Sequence, residues 1–243
     1  MRNIKLTIEY NGKNYKGWQR QPDQPTVQQQ IEDALYKITK EKININGSGR
    51  TDAGVHALGQ IATFYTNSNI ECEKIKLGLN SIIPLDIAIT NSEEVNEEFH
   101  ARFSAKRKIY KYVIYNNRVR SPILMDYSMH VPYKLDIYKM KEVSKELIGT
   151  YDFTSFTSTR SKVQNKVRTI YDIEIDKNED MIEIRYTGNG FLYNMARILT
   201  GTLVDISRGI IKEDIQEIIS AKDRKRAGTT APPYGLYLLK VIY

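Results

Sequence analysis

One carboxylate stands in a setting suited to chemistry. Residues 47–57 read GSGRTDAGVHA, with Gly47, Gly49 and Gly54 around Arg50, Thr51 and Asp52. Glycine is favoured where a backbone bends sharply or must approach another group closely, so Asp52 is expected on a tight loop. A carboxylate presented there can act as a nucleophile or a general base. The plain alternative is a structural turn, since Asp side chains often bond backbone amides two residues on. Two other places could support such chemistry. Lys106, Arg107, Lys108 and Lys111 surround Tyr110, with Tyr112 close by. Cations hold phosphates and rings stack on bases, so this mixture suits RNA, although a strand with lysines on its wet face has the same composition. Arg197 lies inside the mainly apolar run FLYNMARILTGTLVDIS. A charge there is costly unless it is paired or reaches water, which makes Asp52 a candidate partner.

Other chemistry finds little support. The three histidines, His56, His100 and His130, are scattered, and Cys72 is the only cysteine. That leaves no metal-ligand spacing and no intrachain disulfide. No phosphate-cradling P-loop is present, and no bound cofactor is expected.

The elements that must carry these residues follow from periodicity. Ile4, Leu6, Ile8 and Tyr10 alternate, which predicts a strand over 3–10. Thr26 with Gln29 has the form of a capping box, opening an amphipathic helix over 26–40 through Val27, Ile31, Leu35 and Ile38. Trp18, just before it, is read as core. Strands are expected at 42–47, 59–66 and 86–91, with a helix at 72–82 stopped by Pro84. This strand–helix–strand–strand–helix–strand order is the split βαβ pattern of ferredoxin-like domains. The acidic stretch from Glu93 to Glu98 is read as a solvated connection, giving halves at 1–104 and 105–243. In the second half the pattern predicts a strand within 99–116 on which Tyr110, Tyr112 and Ile114 share one face, a helix at 136–148 ending at Gly149, and a hairpin at 168–187. A long helix at 190–206, a short one at 211–220 and a final strand at 236–242 follow. Thr154, Ser155, Thr157 and Ser158 could bond phosphates or satisfy their own loop. The stretch 160–168, RSKVQNKVR, is cationic, with Arg160, Lys162 and Lys166 as candidate RNA contacts.

Composition sets outer bounds. The chain has 243 residues, 41% hydrophobic and 27% charged, and a net charge of +7. The positive balance fits a polyanionic partner. No apolar run is long enough for a membrane span, and the N-terminus lacks an apolar signal core, so a cytoplasmic protein is expected.

Several blocks together resemble the TruA-type tRNA pseudouridine synthases: GSGRTDAGVHA, FHARFSAKRKIYKY, NGFLYNMAR and the C-terminal RAGTTAPPYGLYLLKVIY. The resemblance runs from Tyr15 to the C-terminus, with small departures such as Ser48 where alanine is frequent and Ala196 where valine is frequent. It implies an α+β pseudouridine synthase fold, with two similar halves forming one extended sheet and a cleft between them. It implies that Asp52 is the nucleophile, that Tyr110 packs on the target base, and that Arg197 is the active-site arginine. Arg50 would fill the position vacated by a flipped uridine, Leu236 would wall the site, and Lys106 and Arg107 would touch RNA. The expected substrate is the tRNA anticodon stem-loop at positions 38, 39 and 40, and the expected assembly is a homodimer. The rivals are a paralogue acting on another RNA, such as ribosomal RNA, and a non-catalytic module with RRM-like halves. The latter has no use for Asp52 and Arg197 together and would carry an RNP1-type motif.

Overall fold

The structure, a computed structural model, describes all 243 residues. They form two compact units, one of Met1–Lys106 with Leu238–Tyr243 and one of Arg107–Tyr237.

In the first unit, alternation along β1 (Arg2–Tyr10) buries Ile4, Leu6, Ile8 and Tyr10. α1 (Val27–Thr39) follows, burying Val27, Ile31, Ala34 and Leu35. It ends where Lys40 turns left-handed, φ 62°, and its N–H closes on the Tyr36 carbonyl. Next come β2 (Asn46–Gly47), β3 (His56–Thr66), α2 (Cys72–Asn80) and β4 (Ile87–Val95). β1 runs antiparallel to β3 on one side and to β4 on the other, and β2 pairs antiparallel with β3. The βαββαβ order read from periodicity is therefore realised. The last strand, β10 (Leu236–Ile242), lies beside β3 and brings the end of the chain back to this unit. Asn80, at the end of α2, exchanges both its amide groups with the backbone of Ile89, at 2.9 Å each. That contact ties helix to strand.

The second unit begins with β5 (Arg107–Tyr115), beside which the short β6 (Met129–His130) lies parallel. α3 (Ile137–Lys145), β7 (Gly149–Asp152), β8 (Val167–Asn178) and β9 (Met181–Gly188) follow. The strand order is β5-β9-β8-β7, with antiparallel pairs throughout. α4 (Met195–Ser207) and α5 (Ile215–Ala221) complete it. α4 buries eleven of its thirteen residues. A helix apolar on nearly every side belongs inside its unit, and Ile198, Leu199 and Leu203 are fully covered. No helix of the chain is long and apolar enough to cross a membrane.

Four local expectations are corrected. Thr26 occupies the N-cap of α1, but its side chain makes no capping bond and its buried hydroxyl has no partner, so the capping box does not form. The strand expected at 42–47 shrinks to two residues. Ile43 and Ile45 are buried as expected, but side chains satisfy the Ile45 backbone: its N–H donates to Glu32 and its carbonyl accepts from Gln28. The acidic stretch is no loose connection, because β4 runs to Val95 and sets Glu93 opposite Lys5, at 2.8 Å. Gly149 does not cap α3. The helix closes at Glu146, and Gly149 starts β7 at φ +137°.

The unpartnered Thr26 hydroxyl makes a test. A buried, unsatisfied polar group costs about 1–3 kcal/mol, and valine has the same shape without it. Thr26→Val is expected to leave stability unchanged or to raise it by about 1 kcal/mol in urea denaturation, whereas loss of a working cap would lower it by a similar amount.

Candidate active site

The loop carrying Asp52 is held from below and from one side by the segment that follows β1. Tyr10, at the end of that strand, puts its hydroxyl 2.8 Å from Thr51 Oγ1. Burial pushes the Tyr10 phenol above its usual pKa, so it stays a neutral hydrogen-bonding group. The Trp18 N–H donates to the Thr51 carbonyl at 3.1 Å. Gly17 sits at φ +93° with its α-carbon so close that a β-carbon would run into that same carbonyl. The Gly54 N–H donates to the Tyr15 carbonyl at 3.2 Å, and the Val55 N–H closes a turn on the Asp52 carbonyl at 3.1 Å. Gly12 packs against the Val55 carbonyl and gives its N–H to His56 Nδ1 at 3.0 Å. His56 is thus a buried structural acceptor.

The supports have supports. Asp86, just before β4, accepts hydrogen bonds from the Tyr15 hydroxyl and, at 3.0 Å, from the Asn14 amide. On the other side of the loop, Gln60 of β3 donates to the Gly49 carbonyl at 2.9 Å and accepts from the Ser48 hydroxyl at 2.7 Å. Gly47 lies against the indole of Trp18, which is core as expected. The backbone on both sides of Asp52 is therefore fixed, while Asp52 itself is only half-buried. Arg50 is exposed, and its Nε donates to Gln19 Oε1 at 3.0 Å.

Within the second unit, Arg197 of α4 is only partly covered, unlike most of its helix. Its Nε donates to the Ala231 carbonyl at 2.7 Å and its Nη1 to Asn194 Oδ1 at 2.9 Å. The Ala231 N–H in turn donates to the Arg197 carbonyl at 3.1 Å. The segment before β10 is thereby clamped to α4. Thr202 accepts from the Gly228 N–H and buried Asp205 from the Thr229 N–H, both at 2.9 Å. Contact this close needs glycine on both faces: a β-carbon on Gly201 would run into the Thr229 carbonyl, and one on Gly228 would lie 2.6 Å from Thr202 Cα.

Tyr110, on β5, is buried, with Phe191 edge-on to its ring at 5.0 Å between centroids. Leu236 is buried at the start of β10. The turn before it is fixed by Tyr112, whose hydroxyl donates to the Pro232 carbonyl at 2.7 Å. Of the basic candidates, Arg107 lies 4.8 Å over the Tyr171 ring, and Lys106, Arg160 and Lys162 are exposed, with Lys166 half-buried. The hydroxyls at 154–158 serve their own surroundings. Ser155 donates to the Ile218 carbonyl, Thr157 to the Tyr193 carbonyl and Thr154 to Asp152, while Ser158 accepts from the Arg160 N–H.

Asp52 and Arg50 thus share one loop of the first unit, while Tyr110, Arg197 and Leu236 belong to the second. Gly17, Gln19, Phe191, Gly201, Asp205 and Gly228 were not singled out from the sequence, and Tyr10 and Thr51 entered only as strand and loop residues. Gly201 carried a usable signal, since a glycine inside a helix is unfavourable by about 1 kcal/mol unless close packing needs it. No group of three His, Cys, Asp or Glu side chains is placed to hold a metal ion.

Comparison with known proteins gives a consistent answer. A family model described as tRNA pseudouridine synthase matches residues 6–104 and 143–243. The tRNA pseudouridine synthase A of Caldicellulosiruptor saccharolyticus is 54% identical over 244 residues, covering 100% of both chains. The enzyme of the same name from Thermoanaerobacter sp. (strain X514) and the tRNA pseudouridine synthase A 2 of Clostridium perfringens are each 49% identical, again over 100% of both chains.

The clamp on Arg197 yields a prediction. Gly201→Ala forces the 228–231 segment off α4, and overpacking of this kind costs about 1–3 kcal/mol. Chemical denaturation should register that loss, and the single-turnover rate of the folded variant should fall because the Ala231 carbonyl no longer holds Arg197. Wild-type stability would show that the contact is not tight.

Proposed function

The chain belongs to the tRNA pseudouridine synthase family, and from that premise we propose that it isomerises uridine at one or more of positions 38, 39 and 40 of the anticodon stem-loop, with Asp52 as the reacting carboxylate. The reaction breaks the bond between uracil N1 and ribose C1′, turns the base, and joins C5 to C1′. C5 then loses its proton and N1 ends with one, so the product is an isomer and nothing is oxidised or consumed. A carboxylate in a fixed position is the group such a reaction needs. It can attack C1′, attack C6, or take a proton from the ribose, and each route requires the charged form.

The observation that carries this reading is the loop's geometry. Backbone groups of Thr51, Asp52 and Gly54 are each engaged, yet the Asp52 side chain stays partly open to a substrate. Holding a reactive group in place before the substrate arrives is worth several orders of magnitude in rate. The second unit supplies the accessory roles in this proposal. Arg197, pre-aligned through the Ala231 carbonyl, is assigned to offset the negative charge of the reacting carboxylate. Tyr110 stacks on the flipped base, returning roughly 1–3 kcal/mol against the few kcal/mol that flipping costs, and Leu236 walls the pocket. Arg50 takes the place the uridine leaves.

Serving neighbouring positions calls for reading RNA shape more than base identity. Lys106, Arg107, Arg160, Lys162 and Lys166 are assigned to the sugar-phosphate backbone. Binding should then weaken steeply with salt. A homodimer in the cytoplasm, where its tRNA resides, completes the proposal.

The test is a position-resolved assay of pseudouridine in unmodified tRNA bearing uridines at 38, 39 and 40. Wild type is expected to convert one or more of them without added metal or cofactor. Asp52→Asn is expected to lose turnover while binding the RNA with nearly unchanged affinity. Turnover by Asp52→Asn at the wild-type rate would remove Asp52 from its role, and conversion only at other positions would redirect the substrate.

A further inference from the structure

We propose that Gln19, Gln28 and Glu32 form a one-way hydrogen-bond relay that positions the guanidinium of Arg50, with Gln19 as the positioning residue that touches it. This rests on the reading of Arg50 as the side chain that occupies the place of the flipped uridine.

The relay starts from a buried charge. Glu32 lies on α1 and is only 4% exposed. Its Oε1 accepts from Gln28 Nε2 at 2.8 Å and from the Ile45 N–H at 3.1 Å, and its Oε2 accepts from Arg20 Nη1 at 2.9 Å. A carboxylate only accepts, so it forces Gln28 to face it with the amide nitrogen. The Gln28 oxygen must then face the other way. There it accepts from Gln19 Nε2 at 2.7 Å and from the Arg20 N–H at 2.9 Å. With its nitrogen so engaged, Gln19 presents its oxygen outward, to Arg50 Nε at 3.0 Å. Each amide orientation is dictated by the one before it, and the first is dictated by a charge. Successive bonds in such a chain polarise one another. The oxygen that meets the arginine is therefore a stronger acceptor than an isolated amide.

The physical need is clear from exposure. Arg50 is exposed on a loop where its long side chain has many rotamers. An arginine that must enter the space left by a base does so faster if its direction is already set. Gln19 fixes Nε and leaves both terminal nitrogens free of that bond, so they can engage phosphate or the orphaned partner base. Gln19 itself is half-buried beside Trp18, on the segment that also holds the Asp52 loop. One short stretch therefore sets both groups.

The experiment is a double-mutant cycle on the full-length protein: wild type, Gln19→Met, Arg50→Ala and the double variant. Single-turnover pseudouridine formation is measured, together with base flipping reported by 2-aminopurine next to the target uridine, RNA affinity and melting temperature. Methionine keeps the volume of Gln19 and removes both hydrogen bonds. Gln19→Met is expected to slow flipping and turnover about tenfold, with RNA affinity and melting temperature nearly unchanged. In the Arg50→Ala background the same substitution is expected to have no further effect. Gln19→Glu keeps an acceptor for Arg50 but cannot donate to the Gln28 oxygen, so it is expected to remain slow, and wild-type flipping by this variant would overturn the relay because an acceptor alone would then suffice. Equal losses from Gln19→Met in both backgrounds would overturn the relay, because Gln19 would then act without Arg50. Wild-type flipping by Gln19→Met would overturn it as well. Wild-type flipping by Arg50→Ala would instead remove the underlying role of Arg50, and the relay with it.

Discussion

The first unit depends on the close approach of two stretches of backbone, residues 12–18 and 51–55. Apart from a single 3-10 turn at Gly12–Asn14, neither has regular secondary structure to lean on. Their polar groups meet each other, Trp18 with Thr51 and Gly54 with Tyr15, and Gly12 adds a bond to His56 at the start of β3. Such contact is possible only because Gly12 and Gly17 have no β-carbon and Gly17 can adopt a positive φ. Tyr10 and Asp86, at the ends of β1 and just before β4, then pin the two stretches to the sheet. The loop carrying Asp52 is thereby fixed at the end of the sheet.

The second unit solves a similar problem by different means. Arg197 emerges from a helix that is otherwise buried nearly all round, and its backbone and side chain are both bonded to Ala231. The segment around Ala231 has no strand partner of its own here, so α4 provides one through Thr202 and Asp205. Buried polar groups are tolerated when each has a partner, and in this cluster the partners are backbone amides. The glycines at 201 and 228 make the distances short enough. In both units, therefore, a charged side chain is oriented by backbone whose position a glycine contact fixes.

How much of this could be read from the sequence depends on range. β1, α1 and the β8–β9 hairpin were legible because their signal is periodic and local. Asp52 stood out as a candidate because glycines, arginine and aspartate occur together in a block resembling a known family. What was not legible depends on contacts far apart in sequence. Ile43 and Ile45 alternate like a strand, yet Gln28 and Glu32 capture the Ile45 backbone before a ladder can form. Glu93 and Glu94 looked like a solvated linker because their basic partners, Lys5 and Arg2, are about ninety residues away. Thr26 and Gln29 had the letters of a capping box, but burial of the threonine hydroxyl excluded it. Gln19 lies in the stretch from Tyr15 that resembles the family, but its role could not be read there, since a glutamine on a loop is ordinary until its hydrogen-bond partners are known.

The central claim is that the 12–18 segment presents Asp52 in a reactive geometry. The most direct test is the single-turnover rate of Gly17→Ala on an anticodon stem-loop substrate, measured at a temperature where circular dichroism shows the protein folded. A β-carbon at that position must displace the Thr51 carbonyl, immediately before Asp52. The rate is expected to be lower by about a hundredfold with RNA affinity changed only a few-fold, because the basic surface is untouched. A wild-type rate would mean that the loop tolerates displacement, and that the reactivity of Asp52 does not depend on the contact from which this structure is argued.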